Sequence, residues 1–186
     1  MRGLGLDIRD SPTIIDIGAN AGFFSLFAAS RFPGARIFSY EPIESNFRQL
    51  QRNRDLNRSY SISCFPKAVF GHNGKISISL SSKDAFTTSA TILGKLHKED
   101  ITIQVFCITL PEIFEENNLA QRDMLKMDCE DAEYSILYNC PADYLERIAQ
   151  MAIEVHQGSG SEQNIEALED YLSESGFQIR KHAHML

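Results

Sequence analysis

The residues of this chain with the type and spacing to do chemistry fall into four groups. The first is the turn Asp16-Ile17-Gly18-Ala19-Asn20-Ala21-Gly22. It follows the β-branched run Thr13-Ile14-Ile15, as a buried parallel strand would be, and leads into the helix-like run that opens at Phe23. Strand, glycine turn, helix is the opening unit of an open α/β sheet, which binds small ligands at the carboxyl ends of its strands. A pyrophosphate cradle needs G-x-G-x-x-G, and here Asn20 stands near the place of the middle glycine. The turn suits a ligand without phosphates, such as S-adenosylmethionine, with Gly18, Asn20 and Gly22 as cofactor-binding positions. Asp16 either accepts a hydrogen bond from the ammonium of such a ligand or only ties the turn together; the residues leave both open.

Glu41 is the second group, nineteen residues beyond Gly22 and next to Pro42. A carboxylate at the end of the second strand is positioned to take both ribose hydroxyls of an adenosine. A nicotinamide enzyme would use the same device, so Glu41 supports an adenosine ligand without choosing one.

The third group is the acidic run Asp123 to Glu133, in which Asp128 is expected at the carboxyl end of a central strand, facing the ligand crevice. Glu130, Asp131 and Glu133 fall at the start of the next helix, where negative charge is favourable without any further role. Lys126, inside the strand, is placed to pair with an acid on a neighbouring strand. The fourth group is Glu154-Val155-His156, whose two polar side chains share one strand face. His156, beside carboxylates at a strand end, is a general-base candidate, and Asp128 is another.

The elements that must position these residues read clearly. Strands are predicted at 13–17, 36–40 and 61–65, at 124–128 and 148–155, and at Phe177–Lys181. Helices are predicted from Gly22 to Arg31, at 45–56 with Ser45 as cap, and at 110–118, 132–138 and 162–175. Lys75–Leu80 and Ile101–Ile108 alternate like an antiparallel pair, enclosing a loop with Thr87, Thr88 and Ser89. Strands alternating with helices predict a mainly parallel sheet with right-handed crossovers.

The chain has 186 residues, 43% of them hydrophobic and 23% charged, ordinary values for one globular domain, here 1–186 with a short lead at 1–12. With 25 acidic against 18 basic residues its net charge is −7, which argues against a protein that wraps nucleic acid or an anionic membrane. Cys64, Cys107, Cys129 and Cys140 form no C-x-x-C pair and no zinc spacing, and read as buried free thiols of a reducing compartment. No leader peptide and no apolar run near the ~18 residues of a membrane span are evident, so a cytoplasmic location is expected.

Taken together these segments resemble the FkbM-type methyltransferases, a branch of the S-adenosylmethionine-dependent Rossmann-like enzymes. The family's D-x-G-A-N-x-G turn is matched by Asp16 to Gly22. Its E-P, followed by spaced N, L and N, is matched by Glu41-Pro42, Asn46, Leu50 and Asn53. Its K-x-D-x-E-G-x-E is matched by Lys126, Asp128, Glu130 and Glu133, and its E-x-H by Glu154 and His156. Asp131 stands where the family has glycine, and the usual last hairpin strand is missing or rudimentary in 182–186.

The resemblance implies a three-layer α/β methyltransferase fold with a mostly parallel sheet, a hairpin-like insert at about 75–108 and a shortened C-terminal end. It implies methyl transfer from S-adenosylmethionine to a hydroxyl of a sugar or other small metabolite, with Asp16, Gly18, Asn20, Gly22, Glu41 and Asp128 at the donor. Asp128 and His156 are the catalytic candidates, and Glu130 and Glu154 lie near the acceptor. A metal on Asp128, Glu130, Glu154 or His156, for which oxygen ligands would favour Mg²⁺, is the less favoured arrangement, and no metal ligand is assigned. The rival readings are a non-catalytic ligand-binding relic and a nicotinamide-dependent oxidoreductase.

Overall fold

The computed structural model describes residues 10–80, 90–91, 101–129, 132–158 and 160–181. Thr87, Thr88, Ser89, Glu130 and Asp131, singled out above, lie outside them. In chain order the elements open with β1 (Thr13–Ile17), α1 (Phe23–Arg31), β2 (Arg36–Tyr40), α2 (Glu44–Leu56) and β3 (Ser61–Phe65). There follow β4 (Ala68–Val69), β5 (Gly74–Leu80), β6 (Ala90–Thr91), β7 (Ile101–Ile108) and α3 (Leu110–Glu116). The last are β8 (Met124–Met127), α4 (Glu133–Tyr138), α5 (Ala142–Leu145), β9 (Met151–Ile153) and α6 (Ile165–Glu174).

One sheet has the order β3-β2-β1-β8-β9, and every pairing in it is parallel. β1 is buried at all five positions, which a strand achieves only when both sheet faces are covered. Alternate residues serve the two faces. Ile14, Ile37 and Met124 pack with Ala28 and Ala29 of α1. Ile15, Ile17, Leu125 and Met127 pack with Ile113 and Phe114 of α3, Tyr134 and Ile136 of α4, and Leu168 and Leu172 of α6. Small residues on α1 let that helix lie close to the sheet, and the i, i+4 pair Leu168 and Leu172 seats α6. Each such leucine contributes about 1.5–3 kcal/mol by leaving water.

The segment expected to be hairpin-like forms a second sheet, β4-β7-β5-β6, in which β7 is antiparallel to β5 along all of β5. Period-2 burial of Ile76 and Ile78 on β5 and of Val105 and Cys107 on β7 gives it a core of its own.

Three local expectations are corrected. Phe177–Lys181 carries no strand. The Phe177 amide instead donates to Leu172 O at 2.9 Å, closing α6 with Gly176 at φ 92°, and Ile179 is left exposed. β9 is three residues long; Ile148 makes only an isolated bridge with Arg122. Ser45 is not a cap, because α2 begins at Glu44, straight after Ile43, whose amide is held by Glu41 Oε1 at 2.8 Å. The four cysteines are free thiols, Cys107 and Cys140 buried and Cys64 and Cys129 half-buried. Among the described residues no helix is long and apolar enough to cross a membrane.

Candidate active site

The chain leaves β1 towards β2 and β3 on one side, and β8 and β9 lie on the other. The carboxyl ends of β1 and β8 therefore flank the crevice where an open α/β sheet takes its ligands. All four groups singled out in the sequence converge there: the glycine turn after β1, Glu41 after β2, Asp128 after β8, and Glu154 with His156 after β9.

The turn is closed by its own backbone. The Gly18 and Ala19 amides both donate to Tyr40 O, at 3.1 and 3.0 Å, and the Gly22 amide donates to Ala19 O at 2.8 Å. Gly18 has φ 71°, and a Cβ on it would lie 1.8 Å from Asp128 O. Only a residue without a side chain lets the turn lie against the end of β8. Gly22 has φ 84° and presses on Leu50. Asn20 is left-handed at φ 49°, a conformation asparagine tolerates.

Glu41 staples this turn to the next one. Its Oε2 accepts from the Asn20 amide at 2.9 Å and its Oε1 from the Ile43 amide at 2.8 Å. Burial pushes its carboxyl up to about 7, against the opposing pull of those two backbone donors. The Asn20 amide, near the place of a pyrophosphate-binding glycine, is thus engaged by a carboxylate. Asn53 Nδ2 donates to Ala21 O at 2.7 Å. Leu50 and Asn53, noted in the sequence without a role, are the supports that α2 gives to the turn.

Asp16 is wholly buried. Its Oδ2 accepts from Ser25 Oγ at 2.6 Å, and Ser25 in turn meets Ser39 Oγ at 2.8 Å. Its Oδ1 lies 3.3 Å from Lys126 Nζ, which also donates to Gly18 O at 3.0 Å and lies 3.6 Å from Asp128 Oδ2. Burial raises the Asp16 carboxyl and Lys126 opposes the rise. Lys126 is thus paired across neighbouring strands as its position in the sequence suggested, and Asp16 ties the turn to both flanking elements.

On the β9 side, the Glu154 amide donates to Met127 O at 2.9 Å, which pins Glu154 beside Asp128. One ligand-capable atom each from Asp128, Glu154 and His156 lie within 4.8 Å of one another. Glu133, at the start of α4, is wholly buried, and its Oε1 lies 3.4 Å from His156 Nδ1 and 3.2 Å from the Cys129 amide. In the neutral ring with its proton on Nδ1, that N–H faces the Glu133 carboxylate and Nε2 is the nitrogen turned away from it. Glu133 therefore orients the histidine, which its position at a helix start did not reveal. Burial and the adjacent Glu133 push the Cys129 thiol well up, so it stays protonated. The backbone of His156 is fixed by Tyr134 Oη, which donates to its carbonyl at 2.7 Å.

Known proteins share this arrangement of elements. Residues 16–179 match the family described as the methyltransferase FkbM domain. Methyltransferase sdnD of Sordaria araneosa is 26% identical, over 94% of this chain and 77% of that protein. The 31-O-demethyl-FK506 methyltransferase FkbM of Streptomyces tacrolimicus is 23% identical, over 88% of this chain and 73% of that protein. The crystal structure of methyltransferase FkbM from Methylobacillus flagellatus KT superposes with a TM-score of 0.60 at 18% identity. It covers 89% of this chain, which spans 37% of the crystallised one. With the family match running from the Asp16 turn to the segment after α6, the chain belongs to the FkbM methyltransferase family.

Proposed function

We propose that the chain transfers the methyl group of S-adenosylmethionine to a hydroxyl oxygen of a small acceptor such as a sugar. The observation that carries this reading is the contact between two half-sites. The glycine turn touches the backbone of Asp128, and Asp128 is grouped with Glu154 and His156. A donor held by the turn would thus lie next to groups able to take a proton. The word O-demethyl in the name of the Streptomyces tacrolimicus relative supports oxygen as the acceptor atom.

Several features fit the donor. Gly18 lets the turn close against the end of β8, and Glu41 is a carboxylate at the strand end where a ribose is expected. The Asn20 amide is taken up by Glu41, which disfavours a pyrophosphate-bearing nicotinamide in the same turn. Asp16 serves by fixing the turn and Lys126 rather than by facing outward.

The bound donor supplies an activated methyl group on a sulfonium. The new bond is acceptor oxygen to methyl carbon; the sulfur–methyl bond breaks, and its electron pair stays on sulfur. The protein has to align the oxygen and accept its proton. His156 Nε2, on the side of the ring away from Glu133, takes that proton, and Asp128 orients the hydroxyl.

The test is to incubate the chain with S-adenosylmethionine and a panel of sugars and other hydroxylated metabolites, following S-adenosylhomocysteine by mass spectrometry. Its release together with an acceptor heavier by one methylene on oxygen is the expected result. Calorimetric binding of NADH but not of S-adenosylmethionine would overturn the reading. Tight donor binding with no product from any acceptor would favour a relic.

A further inference from the structure

We propose that Asp128, Glu154 and His156 together bind a divalent cation at the acceptor end of the crevice. They offer two carboxylates and one imidazole from the ends of two adjacent parallel strands, β8 and β9. Their ligand-capable atoms lie within 4.8 Å of one another. Among three ligands of an octahedral ion with bonds of about 2.1 Å, adjacent ones stand about 3.0 Å apart and an opposite pair about 4.2 Å. Closing the site therefore needs rotations of the Glu154 and Asp128 side chains that draw their oxygens towards the imidazole.

A second and independent observation stands behind the histidine. Glu133 is wholly buried, its Oε1 faces His156 Nδ1 at 3.4 Å, and its Oε2 has no hydrogen-bond partner in the described structure. Burying a carboxylate this far from water is costly unless a positive group compensates it. A cation on Nε2 supplies that compensation through the ring. It draws electron density from the imidazole, makes Nδ1–H a stronger donor, and strengthens the bond to Glu133. A carboxylate behind the far nitrogen of a histidine is the arrangement that fixes the ligating tautomer of metal-bound imidazoles.

A ligand set of one nitrogen and two oxygens, without thiolate, suits a first-row ion of intermediate hardness such as Mn²⁺. Three protein ligands leave positions for water or for the oxygens of an acceptor.

The catalytic consequence rests on the methyl-transfer reading above. An acceptor hydroxyl on the ion becomes more acidic, as water does on a bound metal. With the ion bound, Nε2 is a ligand in place of the base role it takes in the metal-free chain, and the hydroxyl proton leaves to solvent water. An acceptor with two adjacent hydroxyls would chelate the ion and gain in orientation.

The experiment titrates the metal-free full chain with MnCl₂ and follows free Mn²⁺ by electron paramagnetic resonance. We expect one saturable Mn²⁺ per chain, bound at least tenfold more weakly by Glu154→Gln and by His156→Gln. Glu154 is exposed, so its variant keeps the fold, which an unchanged melting temperature verifies. Glu133→Gln, which touches no ion, should weaken binding roughly 10–100-fold. Absence of saturable Mn²⁺ binding, or equal binding by wild type and both ligand variants, would overturn the site. S-adenosylhomocysteine formation is measured separately. Mn²⁺ binding without methyl transfer supports the site and removes the proposed function; methyl transfer with no Mn²⁺ bound does the reverse.

Discussion

Asp16 and Lys126 stand directly opposite each other in the ladder between β1 and β8, and their side chains meet at 3.3 Å on the sheet face that α1 covers. The pair joins the two strands at the point where the sheet changes direction. Its lysine also holds the carbonyl of Gly18, so one buried contact supports both the core and the turn.

Removing that lysine leaves Asp16 buried beside Ser25 with no positive partner. Lys126→Met should cost about 3–5 kcal/mol of stability, the usual effect of breaking a buried pair from one side. Chemical denaturation measures it, and the double variant Asp16→Asn with Lys126→Met should lose less than the two single changes summed. A loss below about 1 kcal/mol for Lys126→Met would show that the pair does not hold the strands.

Gly18→Ala meets two obstacles, a left-handed φ of 71° and the Asp128 carbonyl 1.8 Å from the new carbon. It should cost more than about 2 kcal/mol and abolish binding of S-adenosylmethionine. Gly74 is the control: its φ is 132° but nothing lies within 4 Å. Gly74→Ala should cost about 1 kcal/mol through the backbone alone and leave donor binding unchanged. Equal effects at the two sites would remove the close approach as the cause.

Glu41 gives a pH dependence whose sign can be worked out. Its carboxyl stands at about 7 in the folded chain, raised from its ordinary 4.5. Between those values the folded chain holds a proton that the unfolded chain has released. The contribution of Glu41 to stability is therefore greatest below about pH 4.5 and falls as pH rises towards 7. Ribose hydroxyls prefer the ionised acceptor, so donor affinity should move the other way, rising roughly tenfold from about pH 6 to about pH 8. Calorimetry across that range checks it, with Glu41→Gln expected to bind weakly and without the trend. A flat profile for the wild type would exclude Glu41 as the ribose ligand.

His156→Gln should slow methyl transfer by about 10²-fold or more while changing the donor dissociation constant by less than about twofold. Single-turnover kinetics and calorimetry separate the two. A collapse of donor binding instead would place His156 on the donor side of the crevice.

The fold was legible where hydrophobic pattern and turn chemistry agreed. Thr13–Ile17, Arg36–Tyr40 and Ser61–Phe65 end where the strand-forming segments meet Gly18, Glu41-Pro42 and Pro66. The antiparallel pair of β5 and β7 followed from strict alternation. Phe177–Lys181 alternates too, but the helix-closing bond from Phe177 to Leu172 takes the chain off the sheet. A local pattern carries no information on whether a ladder partner exists.

The site was legible as a set of strand-end residues and illegible in its second layer. Glu133 looks like any acid in the first turn of a helix, and only the tertiary structure, 23 residues along, brings His156 to it. The roles of Ser25, Ser39 and Asn53 likewise depend on packing between elements distant in sequence.

The approach of Gly18 to the Asp128 carbonyl also bears on engineering this enzyme. On the proposed function, donor and acceptor halves would share a wall one backbone thick. Redesign of acceptor scope that moves the chain at 128–129 will be registered as a fault in donor binding, however far the new side chain points from the donor.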